Sequence, residues 1–225
     1  MTTDESPTAV PGGEGDAAEA CPRCAKPPTI CVCDRVEPIA TTLRIVILQH
    51  PQEDDALLGT ARLVTAALPK AEIRVGLSWA SLDHALGTKN ADKSRWAVLA
   101  AAKLPAELPD AAKGKPVVLI DRNGEVLDPK RHRLDGVIVL DGTWSQAKTL
   151  WWRNAWLLKL PRIVLTPREP SMYGRLRKEP RRDYVSTLEA IADVLPGLGE
   201  SEDVRDALRR LLRTMLQRVR DAARA

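Results

Sequence analysis

The chain has 225 residues, enough for one sizeable core with at most a small appended module. Its 34 Lys and Arg stand against 30 Asp and Glu, a net charge of +4 that permits an anionic partner without demanding one. No apolar run approaches the roughly 20 residues needed to cross a bilayer, and the acidic, polar N-terminus is unlike a secretory leader, so the expected location is cytoplasmic.

Residues 1–20 contain Gly12-Gly13, two prolines and several acids with almost no large apolar side chain, and read as a disordered leader. All four cysteines follow within thirteen residues, at Cys21, Cys24, Cys31 and Cys33. Thiolates at this spacing can close a tetrahedral zinc site, and four protein ligands leave no open position, which makes the expected zinc structural. Residues 21–36 are therefore read as a zinc-binding segment ahead of a main domain over 37–225. A redox dithiol pair and unligated thiols are the competing readings.

Short aliphatic runs come next: Leu43 to Leu48, Val117 to Ile120, Gly136 to Leu140 and Ile163 to Leu165. Continuous apolarity bounded by Pro, Gly, Asp or Arg suits strands buried on both faces. Between them, Ala56 to Leu68, Ser94 to Ala102 and Ser145 to Leu158 carry helical spacing. Alternating strands and helices predict an α/β fold with a mainly parallel sheet. From Val204 onward, Val204, Leu208, Leu211, Leu212, Met215 and Val219 form one apolar face, as expected of a closing helix.

One strand-to-helix transition points to chemistry. Asp141-Gly142-Thr143-Trp144 follows the run ending at Leu140, and ligands of open α/β sheets bind at the carboxyl ends of strands. Gly142 allows close backbone approach, Thr143 or Ser145 can cap the helix, and free N–H groups there favour an electron-rich ligand. Taken alone, Asp141 reads first as a turn or capping residue.

The chain resembles the DTW-domain family in five places in order. These are Cys21-x-x-Cys24 with Cys31-x-Cys33, Gln49-His50-Pro51-Gln52-Glu53, Asp141 to Ala147, Tyr173-Gly174-Arg175-Leu176-Arg177, and Ser186-Thr187-Leu188-Glu189-Ala190. The resemblance implies a SPOUT-like fold with a knotted cofactor pocket. It also implies transfer of the aminocarboxypropyl group of S-adenosylmethionine to a tRNA uridine. It makes Leu119, Leu140, Gly142, Thr143, Trp144, Ser186, Thr187 and Glu189 the expected cofactor contacts and Asp141 the candidate base. An ordinary carboxylate is a weak base for an imide proton, so that role requires desolvation or a tight hydrogen bond; orienting the uracil or the cofactor ammonium is the other role open to Asp141. Trp144 is open to base stacking or core packing, and Ser186-Thr187-x-Glu189 also has the form of an ordinary helix start. Trp151, Trp152 and Trp156 share one helical stretch and are read as packing residues.

RNA contact is expected from Arg162 to Arg182, where seven basic residues face only Glu169 and Glu179, a solvated loop being the competing reading. Tyr173, Arg175, Arg177, Arg181 and Arg182 are the candidates there, with His50 as a wall of the RNA-side pocket. A second basic set, Lys130, Arg131, His132 and Arg133, precedes the strand leading to Asp141, and the two sets are expected to flank one cleft. Methyl transfer to RNA by the same fold, and a noncatalytic zinc-containing RNA-binding module, are the alternative functions.

Overall fold

In a computed structural model the described residues are 19–53, 55–99, 112, 114–174, 176 and 185–224; most of the expected leader lies outside them. The four aliphatic runs all form strands: β1 (Arg44–Gln49), β4 (Val117–Ile120), β6 (Gly136–Asp141) and β7 (Arg162–Leu165). Three more complete a seven-stranded sheet: β2 (Ala71–Val75), β3 (Trp96–Leu99) and β5 (Val126–Leu127). The order is β2-β1-β6-β3-β7-β4-β5. The pairings from β2 through β7 are parallel, while β4 runs antiparallel to both β7 and β5. The mainly parallel α/β expectation holds.

The helical reading of Ser94 to Ala102 is corrected. A 3-10 turn over Lys93–Arg95 leads straight into β3, whose four residues are all buried. Trp96-Ala97-Val98-Leu99 sits between β6 and β7, where solvent reaches neither face, so the local pattern lacks the alternation that marks a strand. Gly136 opens β6 beside it for a steric reason. A Cβ there would lie 2.5 Å from the Arg44 carbonyl oxygen and 2.6 Å from the Trp96 ring.

The helices are α1 (Ala61–Ala67), α2 (Leu82–Leu86), α3 (Trp144–Arg153), α4 (Thr187–Gly197) and α5 (Glu202–Ala222). Strand alternation sorts them into two layers. Ile45, Ile47, Val137 and Val139 face α1, α4, α5 and the cysteine segment. Val46, Leu48, Ile138 and Leu140 face α2, α3 and the turn over Ala155–Lys159. The expected α5 face is buried, with Leu216 taking the place of the half-buried Val219. No helix among the described residues is long and apolar enough to cross a membrane.

The expected helix over Ser145 to Leu158 breaks at Asn154, which is fully buried. Its side-chain amide donates to the Leu150 and Leu77 carbonyls at 2.7 and 3.1 Å. Its side-chain oxygen accepts from the Trp79 N–H at 2.8 Å. Satisfying a buried amide in this way outweighs continuing the helix.

Candidate active site

β6 ends on Asp141, whose side chain points to the α4 layer, one residue out of phase with Leu140. Parallel register places Gln49 of β1 directly beside it, and Gln49 Nε2 donates to Asp141 Oδ2 at 2.8 Å. The Thr187 hydroxyl, from the first turn of α4, donates to Oδ1. Asp141 is only 7% exposed, and among the described residues no cation pairs with it. Neutral donors therefore orient a buried carboxylate while leaving lone pairs on both oxygens.

The following turn is stapled to the loop after β1. Gly142 has φ 143°, and a Cβ there would lie 2.9 Å from Gln146. Thr143 caps α3 in a capping box: Gln146 N–H donates to Thr143 Oγ1 at 3.4 Å and Thr143 N–H donates to Gln146 Oε1 at 2.6 Å. Gln146 Nε2 then donates to the Gln52 carbonyl at 3.1 Å, while the His50 N–H donates to the Asp141 carbonyl at 3.1 Å.

Asp141 opens on a cavity of about 200 Å³ that also meets Gln49, Glu53, Asp55, Thr60, Arg62 and the cysteine segment at Cys24 to Lys26. Lys26 is 1% exposed. Its ammonium donates to the carbonyls of Ala56, Leu57 and Gly59 at 3.3, 2.9 and 2.8 Å, and burial lowers its pKa. All three of its donors hold the loop that forms one cavity wall. Thr60 Oγ1 accepts from the Leu188 N–H at 3.1 Å, tying the same wall to α4.

The cysteines meet as their spacing suggested. Their four Sγ atoms lie within 4.8 Å of one another, with Cys21–Cys33 at 3.7 Å and Cys24–Cys31 at 3.6 Å. Tetrahedral zinc with bonds of about 2.3 Å puts sulfurs roughly 3.8 Å apart, so the donor set fits such an ion. Backbone N–H groups of Cys24 and Arg23 bring the Cys21 thiol down to about 6, whereas burial pushes Cys24 and Cys33 up. The segment is anchored elsewhere by Arg218, which donates to the Cys31 carbonyl and to Asp34 at 3.0 and 2.9 Å.

Several expected contacts sit elsewhere. Leu119 lies in β4, level with Val139 but three strands away, roughly 14 Å at ordinary strand spacing, and is core. Leu140 turns its side chain into the α3 layer, on the sheet face opposite the Asp141 carboxylate. Ser186 and Glu189 form the capping box of α4, with the Ser186 N–H and hydroxyl donating to Glu189 Oε2 at 2.9 and 2.8 Å. Glu189 further accepts from Ser171 Oγ and the Met172 N–H at 3.0 and 2.7 Å, so its buried carboxylate is saturated from within. Of that segment only Thr187 reaches Asp141. Trp144 is half-buried at the first position of α3.

Of the RNA candidates, Arg175, Arg177, Arg181 and Arg182 lie outside the described residues. Tyr173 is corrected from a stacking platform to a core residue: it is fully buried and its hydroxyl donates to the Leu58 carbonyl. His50 is 7% exposed, and its Nδ1 accepts from the Gln52 N–H at 3.1 Å. Lys130 to Arg133 precede β6 and lie at the amino edge of the sheet, about 20 Å from Asp141 along a six-residue strand, so they do not share its cleft. Trp151 and Trp156 pack against the α3-side core as expected, but Trp152 is 70% exposed.

Gln49, Thr60 and Lys26 were not singled out from the sequence as site residues. Gln49 and Lys26 sit inside motifs that drew notice for other members, which was the available signal; Thr60 carried none.

A DTW-domain family model matches residues 18–220. The chain is 25% identical over 236 residues to the mouse (Mus musculus) tRNA-uridine aminocarboxypropyltransferase 2, covering 93% of this chain and 72% of the relative. It is 28% identical to the proteins of the same name from Macaca fascicularis and Drosophila melanogaster, covering 87% of this chain in each case and 61% and 72% of those relatives. No solved structure matches the chain.

Proposed function

From the premise that the chain belongs to the DTW-domain family, we propose that it transfers the 3-amino-3-carboxypropyl group of S-adenosylmethionine to N3 of a tRNA uridine. The observation that carries this reading is the convergence of Gln49, Asp141 and Thr187 beside a cavity at the carboxyl edge of the sheet, in a chain whose relatives are named tRNA-uridine aminocarboxypropyltransferases. A SPOUT-like arrangement of the cofactor pocket belongs to the same proposal.

When bound, the donor supplies a sulfonium-activated carbon: the new bond joins N3 to the γ-methylene, and the C–S electron pair leaves with 5′-methylthioadenosine. The chain's own residues have three tasks. Asp141 accepts the N3 proton at a carboxylate oxygen, held by Gln49 and Thr187 so that its remaining lone pairs face the cavity. Glu53, Asp55 and Asp141 outnumber Lys26 and Arg62 around the cavity, which favours the cationic end of the donor. The amino-terminal end of α3, with its partial positive charge, lies at the same edge.

The test is incubation of the metal-loaded protein with unmodified tRNA and S-adenosylmethionine, followed by mass spectrometry of nucleosides and by-product. Aminocarboxypropyluridine with 5′-methylthioadenosine is expected. S-adenosylhomocysteine in its place establishes methyl transfer, and tRNA binding without either by-product establishes a binding module.

A further inference from the structure

The polar site leaves one large aromatic side chain unexplained. Trp152 is 70% exposed on α3, the helix that begins at the Asp141 turn, although the same helix buries Ala147 and Leu150. An exposed tryptophan forgoes a large hydrophobic gain, so folding alone does not account for it. Its surroundings are distinctive in charge. From Gly142 to Arg168 there is no acidic residue, while Lys148, Arg153, Lys159, Arg162 and Arg168 are all basic.

Helical spacing decides which of these share a surface. Lys148 lies one turn before Trp152 and Ser145 a further turn back, and all three are exposed. Arg153 and Lys159 are exposed as well, and among the described residues no carboxylate pairs with Lys148, Arg153 or Lys159. The stripe runs away from the active turn, Trp152 standing about 12 Å along the axis from the start of α3. A flat aromatic face among unpaired cations, in a stretch of chain without acids, matches a nucleic-acid strand: the ring offers stacking to a base and the cations offer contacts to phosphates.

We propose that the outer face of α3 is an RNA-docking surface on which Trp152 stacks a base flanking the target uridine, with Lys148 and Arg153 holding the adjoining phosphates. This rests on the tRNA reading above and deepens it. The basic stretch lost from the cleft at Lys130 to Arg133 is thereby replaced by a surface continuous with the active turn.

Binding of fluorescent tRNA to the metal-loaded protein, measured across a salt series without the methionine donor, tests the surface independently of turnover. Trp152→Ala is expected to weaken binding by about 5- to 160-fold, the range for loss of one base–aromatic stack, with an unchanged salt slope. Trp152→Phe should retain most of the affinity, and Lys148→Ala should lower the slope by about one. Quenching of Trp152 fluorescence by tRNA, as the difference between wild type and Trp152→Phe, supplies the same readout should the alanine variant fold poorly. Unchanged affinity and no quenching overturn the proposal. So does a dimer in the wild type that Trp152→Ala dissociates, because the face is then a contact between copies. Wild-type tRNA binding without transfer sinks the proposed reaction and leaves this surface standing; transfer with an indifferent Trp152 does the reverse.

Discussion

The two ends of the central sheet carry similar numbers of charged side chains but arrange them differently. At the amino edge lies the larger groove, about 660 Å³, lined by Thr42, Arg44, Lys70, Glu72, Trp96 and Asp135. Its carboxylates are all met by cations: Arg44 meets Glu72 at 2.7 Å, Arg74 meets Glu72 at 2.8 Å, and Arg95 meets Asp135 at 2.5 Å, while Lys70 donates to the Thr42 carbonyl at 3.1 Å. At the carboxyl edge the cavity is smaller, yet its central carboxylate is buried and held only by neutral donors. Volume therefore does not mark the site. What distinguishes it is a buried ionisable group oriented but not neutralised, at the end of the sheet where strand-to-helix turns present their N–H groups.

The sharpest way to break this contrast is the same change at both ends. Asp141→Asn should lower the transfer rate at least about 100-fold, the usual loss for a general base, while tRNA binding persists. Asp135→Asn should leave the rate within about twofold. Equal losses in single-turnover assays would dissolve the distinction between the edges.

Metal removal is next in size and reaches the carboxyl edge alone, because the cysteine segment forms part of that cavity's wall. Chelation is expected to lower stability by about 4 kcal/mol relative to protein held at a thousandfold excess of metal over its Kd. The same site gives a pH dependence of definite sign. Burial raises the Cys24 and Cys33 thiols, so both are protonated at neutral pH without metal, and loading must displace those protons. Metal affinity should therefore rise with pH and fall on acidification, most steeply below the value of about 6 to which Cys21 is lowered, where its proton must be displaced as well. Competition with a chromophoric chelator at several pH values measures it, and a flat profile refutes the displacement.

A smaller effect is expected at Lys26. Replacement by Met keeps the volume but removes the donor from the carbonyls of Ala56, Leu57 and Gly59, at a cost of about 1–3 kcal/mol in urea denaturation. Metal content should be unchanged, since all four thiols remain. The smallest change belongs to the amino edge: Glu72→Gln, in a partly exposed ion-pair cluster, should cost less than about 1 kcal/mol.

Much of this molecule was legible as local pattern. The four aliphatic runs became strands because their composition leaves them nowhere to go but a doubly covered sheet, and β6 with its Asp141 turn fell at the expected edge. The four cysteines met because a short segment with close spacing can bring its own ligands together. The amphipathic stripe of α5 announced its buried face in the same way. Strand order was a different matter. Placing β6 between β1 and β3 is a pairing of segments far apart in the chain, and only that pairing sets Gln49 beside Asp141, sends Leu119 three strands away and turns Trp96 to Leu99 into a central strand. Packing likewise decided that Tyr173 is core, that Ser186 and Glu189 close a helix end while Thr187 reaches the carboxylate, and that Trp152 faces outward. A residue's own periodicity states which side of its element it occupies. What lies across from that side is determined by the other elements, through contacts that carry no local signal.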